Sequence, residues 1–173
     1  KYYTNHYIEK LAGAEAKETD IELDGVKYEL YNSVVTGNAT VDTRRSGDIE
    51  DIEGFTFDSE ATQRFGGNAG LSHNSDYSEL SGIVAQDIEG NNLLNFNFFY
   101  SRNKWTLNYL LDGDIPTDVV ESTIPSSVTD IYYGAEVIIA ADVQMEGNGY
   151  TFDGWVSTLG LNIEEGKFNM PEN

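Results

Sequence analysis

Residues 93–114, LLNFNFFYSRNKWTLNYLLDGD, are the densest aromatic and aliphatic run in the chain and constrain its fold more than any other stretch. Leu94, Phe96, Phe98 and Tyr100 alternate with Asn95, Asn97, Phe99 and Ser101, the period-2 pattern of a half-buried strand. After Arg102 and Asn103 a second alternation begins, with Trp105, Leu107, Tyr109 and Leu111 on one side and Thr106, Asn108 and Leu110 on the other. The pattern predicts the last strand of one module followed, almost without linker, by the first strand of the next. So short a joint should limit swinging between modules, as a stalk of repeated units requires.

The rest of the chain reads as short strands separated by turns. Residues 2–9 are aromatic and β-branched and predict an opening strand. Residues 12–17 read as loop. Ile21-Glu22-Leu23 and the run from Val26 to Tyr31 flank Asp24-Gly25, a hairpin signal because both turn residues tolerate positive φ. Residues 34–41 continue in extended style. Acidic residues 49–53 lead into Gly54-Phe55-Thr56-Phe57-Asp58, and Asp58 reads as the N-cap of a short helix over 59–65 ended by Gly66-Gly67. Residues 66–81, rich in Gly, Ser, Asn and Asp, predict a loop or insertion. In the second half, residues 115–127 read as a crossing segment or single helical turn. The apolar run over 135–141 predicts a buried strand. Trp155 falls in a further patterned strand, 160–166 is a loop, and 167–171 closes the chain. Gly149-Tyr150-Thr151-Phe152-Asp153 echoes Gly54-Phe55-Thr56-Phe57-Asp58, which suggests internal similarity between the halves.

Charge narrows the function classes. The chain of 173 residues has 30 acidic and 10 basic side chains, net −20. Residues 1–103 hold 18 acidic and 8 basic, and residues 104–173 hold 12 and 2, so each part stands at −10. Such a field repels phosphates and anionic lipid, which argues against nucleic-acid or membrane-surface binding. It suits solubility outside the cell or the binding of cations. No apolar span of membrane length occurs. Cysteine is absent, which removes disulfides and thiol chemistry. A chain beginning at Lys1 reads as a processed or excised piece of a longer protein.

Several stretches resemble repeat modules of Gram-positive cell-surface proteins. YYTNHYIEKL, IEGFTFDSEAT and SGIVAQDIEGNNLLNFNFFYSRN are similar to the mucin-binding-protein (MucBP) type, over 1–103. KWTLNYLLDGDIP, YYGAEVIIAAD, GYTFDGW and KFNMP resemble InlB B-repeat and SHIRT-like modules, over 104–173. The longer stretch 66–81 and an opening without the usual acidic residues depart from the MucBP pattern. The resemblance implies a mainly β (α+β) chain of two tandem, small, β-grasp-like modules with short helical segments; the strand pattern alone also admits Ig-like β-sandwich modules. It further implies a non-catalytic, secreted repeat fragment on the cell wall, an adhesin stalk or a binder of host glycoproteins such as mucin, with adjacent modules of the same chain as neighbours. The alternative is a dedicated carbohydrate-binding module of a secreted protein.

Candidate sites are few. The chain has no G-x-S-x-G, P-loop or H-E-x-x-H motif, and no residue is assigned a catalytic role. His6 reads as an ordinary packed or surface histidine, and His73 lies in the polar loop. Asp112, Asp114 and Asp118 offer three hard oxygen ligands for calcium, the one cofactor considered. Pro116 and the absence of Glu at the twelfth position break the EF-hand pattern, so a solvated loop is the default. Asp48, Glu50, Asp51 and Glu53 form a second acidic cluster. Lys27 and Lys104 are the lysines placed for an isopeptide crosslink, although edge lysines ordinarily serve to block strand pairing. Trp105 and Trp155 are candidate sugar-stacking platforms, with core packing as the weightier reading. Asn38-Ala39-Thr40 is a glycosylation sequon, which means little if the source is bacterial as the resemblance implies.

Overall fold

The positive φ of Asp24 (51°) and Gly25 (82°) makes the tight turn that joins two strands, as their residue types require. Among the described residues, eight strands and one helix precede Asn103: β1 (Tyr2–Glu9), β2 (Ile21–Leu23), β3 (Val26–Thr36), β4 (Arg44–Asp48), β5 (Phe55–Phe57), α1 (Ser59–Phe65), β6 (Ser72–His73), β7 (Glu79–Ile83) and β8 (Leu94–Arg102). Then follow β9 (Lys104–Leu107), β10 (Val128–Tyr132), β11 (Glu136–Ile138) and β12 (Lys167–Asn169). The structure is a computed structural model and describes residues 1–85, 93–112, 124–143 and 151–172. The chain divides into two compact units, Lys1–Asn103 and Lys104–Asn173. It is mainly β, with one short α-helix among the described residues.

The first unit has a five-stranded sheet in the order β2-β3-β1-β8-β5 and a three-stranded sheet in the order β4-β7-β6. At the centre, β1 and β8 run parallel from Tyr2 opposite Leu94 to Ile8 opposite Tyr100. Strand β3 joins β1 antiparallel, with an irregularity between His6 and Tyr7. A mixed sheet carrying one short helix suits a β-grasp-like module. Its parallel central pair is foreign to the all-antiparallel sheets of an Ig-like sandwich.

Leu94, Phe96, Phe98 and Tyr100 of β8 are buried in one cluster with Ile8, Ile52, Leu80 and Val84. The sequence pattern predicts a half-buried strand, yet Phe99 is buried as well. Its ring stacks on Tyr7 at 5.3 Å and meets Tyr28 and Phe65 edge-on. The helix closes this face: Phe99 N–H donates to Thr62 Oγ1 at 3.1 Å, and Asp58 N–H donates to the Phe99 carbonyl at 2.8 Å. The Asp58 side chain caps the helix by accepting from Ala61 N–H at 2.9 Å, as its residue type predicts. Gly66 and Gly67 do more than end it. Asn97 N–H donates to the Gly66 carbonyl, and a Cβ on Gly67 would stand 2.0 Å from the Asn95 carbonyl oxygen. The chain therefore lies directly on the β8 edge where β5 has stopped.

The loop expected over 66–81 is instead structured in part. It contains β6 and the first half of β7, which pair antiparallel. Only Leu80 within β7 carries a large apolar side chain inward, so a composition rich in Ser, Asn and Gly hid the strand. Strand β4 (RRSGD) has no apolar residue and was not anticipated. Its Gly47 sits against the five-stranded sheet, where a Cβ would meet Thr4 Oγ1 at 2.9 Å and Phe96 Cδ2 at 3.0 Å.

In the second unit the described residues form two antiparallel two-stranded ladders, β9 with β10 and β11 with β12. The buried strand expected over 135–141 is reduced to three residues. Val137 is buried, but Ile138 is 70 % exposed because nothing among the described strands covers that side of the ladder. Residues 151–157 form no strand, so Trp155 is not in a strand as expected. The pentapeptide echo fails for the same reason. Phe55–Phe57 is strand β5, whereas 151–153 lie outside any strand and Gly149 and Tyr150 lie outside the described residues.

Replacing Gly47 by Ala forces the facing Thr4 and Phe96 side chains apart. A destabilisation of about 1–3 kcal/mol is expected in chemical denaturation. Gly37→Ala, with nothing within 4 Å of the added atom, should leave the midpoint nearly unchanged.

Candidate binding cavity

Alternation along β9 turns Trp105 and Leu107 to one side, and the same alternation of burial continues through Tyr109 after the ladder has ended. Tyr109 and Phe152 both meet the Trp155 ring edge-on, at 4.8 and 4.9 Å between centroids. The polar tips of this cluster are spent on one residue. Trp155 Nε1–H donates to the Ala140 carbonyl at 3.1 Å, and Ala140 N–H donates to the Tyr109 hydroxyl at 2.8 Å. Fixed in this way, the rings border a cavity of about 310 Å³ within the second unit. Trp105 and Trp155, the two candidate ligand platforms, line this one cavity. Trp105 Nε1 is buried with no hydrogen-bond partner among the described residues. Leu110, Val156 and Leu159 also line it and were not singled out from sequence. The only signal for Leu110 was its place in the alternating run.

The remaining candidates do not converge. Asp114 and Asp118 lie outside the described residues, and Asp112 is exposed. Among the described residues no three acidic or histidine side chains gather as a metal site. Glu50, from the second acidic cluster, is committed to protein contacts, with His6 Nε2 at 3.4 Å and Asn32 Nδ2 at 3.2 Å. Lys27 is exposed and faces Glu22 across the hairpin; Lys104 is exposed with its ammonium 3.7 Å from Asp130. Both side chains stand in solvent, not enclosed beside a carboxamide as such a crosslink requires. The lysine whose side chain is buried is Lys10, which donates to the Asp20 carboxylate and the Glu15 carbonyl. His73 is exposed and stacks on Tyr77 at 3.8 Å.

His6 is the notable buried polar group of the first unit, 1 % exposed. It stacks on Phe98 at 5.6 Å. Its Nδ1 lies 2.8 Å from the Tyr100 hydroxyl, which also accepts a hydrogen bond from Glu50 N–H at 2.9 Å. The Glu50 carboxylate beside Nε2 favours the proton there, which leaves Nδ1 to accept from Tyr100. Burial lowers the His6 pKa, and the attraction of Glu50 offsets this only in part. Burial pushes the Tyr100 hydroxyl up to about 12. No motif could reveal this group, because its members are joined by folding across 94 and 50 residues. It ties the segment after β4 to the central strands and offers no open face to a substrate.

Comparison of the chain with family models, curated proteins and solved structures gives no match.

The lowered His6 pKa fixes the sign of a pH effect. The unfolded chain takes up this proton first, near pH 6.5, so the contribution to stability is present above that value and lost as pH falls through the lower folded value. Urea midpoints of the first unit should drop between about pH 7 and pH 5, and His6→Gln should flatten that drop. A midpoint that rises on acidification would contradict the assignment.

Proposed function

We propose that the chain is a non-catalytic tandem-module piece of a bacterial cell-surface protein, displayed outside the cell on the wall. It acts there as an adhesin stalk or as a binder of host glycoproteins of the mucin kind. The observation that carries this reading is the division into two compact units that adjoin at Asn103 and Lys104 with no residue between them. The same point is where the resemblance to MucBP-like modules passes to InlB B-repeat and SHIRT-like modules. A net charge of −10 on each part favours solubility.

A dedicated carbohydrate-binding module is the second reading, favoured by the shared cavity of Trp105 and Trp155. It ranks below the first because a sugar needs several converging hydrogen-bonding groups. The tips of Tyr109 and Trp155 are already bonded to Ala140.

Two measurements test the proposal. Pulled from its ends, the full chain should unfold in two separate steps, lengthening by on the order of 35 nm and 24 nm for units of these sizes. One all-or-none step would contradict a stalk of independent modules. On immobilised mucin, retention that disappears after enzymatic deglycosylation is the result expected of the binding role, whereas retention indifferent to the glycans would contradict it.

A further inference from the structure

The chemistry of the cavity wall in the second unit points away from both sugars and ions. Among the described residues no acidic or basic side chain lines it, although this part of the chain carries 12 acidic and 2 basic residues. Leu107, Ile139, Leu161, Ile163 and Phe168 supply aliphatic and aromatic wall. Of the three wall residues that combine large rings with polar tips, Tyr109 and Trp155 direct those tips to the Ala140 backbone, and the Trp105 Nε1–H, without a partner among the described residues, is the one ring donor left for an occupant's hydroxyl. The other polar wall residues are Thr106, Asn108, Ser157 and Thr158, of which the Asn108 carboxamide accepts from Ser127 Oγ and the Ser157 hydroxyl accepts from Leu159 N–H.

The wall also continues outward as apolar surface. Leu110, Val156 and Leu159 are 76 %, 82 % and 64 % exposed. Apolar side chains gathered at the border of a cavity in this way hold unfavourable contact with water that an apolar ligand would remove. The volume of about 310 Å³ lies at the small end of ligand pockets, suited to one ring or a short chain. With no cation among the described wall residues and a net charge of −10 on this part of the chain, an anionic headgroup is repelled.

We propose that this cavity is a binding site for the alkyl or aryl end of an uncharged small molecule. The site belongs wholly to the second unit, and its ligand does not depend on whether the chain adheres to mucin. An occupant fills apolar space that is otherwise in contact with water, so binding also stabilises this unit.

The chain has two tryptophans, Trp105 and Trp155, and both line the cavity, so tryptophan emission reports directly on it. The full chain is titrated with 1-octanol, with sodium octanoate and with lactose, below the concentrations at which either alkyl probe aggregates. A saturable emission change with octanol is expected, with the near-ultraviolet circular dichroism of the aromatic residues retained. Octanoate should bind about tenfold more weakly or worse, and lactose should give no change. Leu110→Glu places a charge at the border of the cavity, where so exposed a side chain contributes little to folding. It should weaken octanol binding about tenfold or more. Leu159→Glu is the second such variant and should act alike. No saturable change with octanol, a response to lactose, loss of the aromatic dichroism on titration, or unaltered octanol binding in both folded variants would each overturn the proposal.

Discussion

The parallel pairing of β1 with β8 is the contact on which the first unit depends. It is the longest-range ladder in that unit, joining residues about 92 apart in sequence, and it places β8 between β1 and β5. Such a pairing forms only after a large loop has closed, so side-chain burial must outweigh the closure entropy. Phe96, Phe98, Phe99 and Tyr100 supply that burial from a single strand. Residues from the other sheet, the helix and the neighbouring strands cover them. The three-stranded sheet contributes Leu80 to the cluster on one side, and the helix and Tyr28 enclose Phe99 on the other. Close approach is permitted where side chains are missing, at Gly47 and Gly67.

Much of this unit was legible because its local signals agree with its tertiary contacts. The Asp24-Gly25 turn, the Asp58 cap, the helix over Ser59–Phe65 and the alternation of β8 all appear where the residues indicate. What escaped was structure with little apolar content. Strand β4 is held by pairing with β7 and by close approach at Gly47, and β6 exposes both its residues. Period-2 reading needs side chains to bury, and these strands offer almost none. The burial of Phe99 escaped for a different reason. Alternation within one strand does not show that a helix from elsewhere covers the other face.

The second unit departs further from its sequence signals. Its apolar run around Val137 promised a buried strand, yet its buried apolar residues are Val137, Val143 and Met170 among those described. Small units bury a smaller share of their surface and are correspondingly marginal. Here Trp105 and Trp155 stand around a cavity, not within a filled core. Their spacing in sequence gave no sign that they share a wall, because the intervening residues return Trp155 to Tyr109 through Ala140. Among the described residues the two units thus enclose their aromatic residues differently, Phe99 and its neighbours covered on both faces and the two tryptophans bordering a cavity.

Strand β8 anchors the buried cluster of the first unit, and every member of that cluster belongs to residues 1–103. Native-state amide hydrogen exchange across a denaturant series tests it most directly. The amides of β1 and β8 should exchange slowest, through one opening common to the first unit. Those of β9 to β12 should exchange faster, with a separate and smaller denaturant dependence. One shared opening, with equal free energy and slope for both groups of strands, would contradict the account.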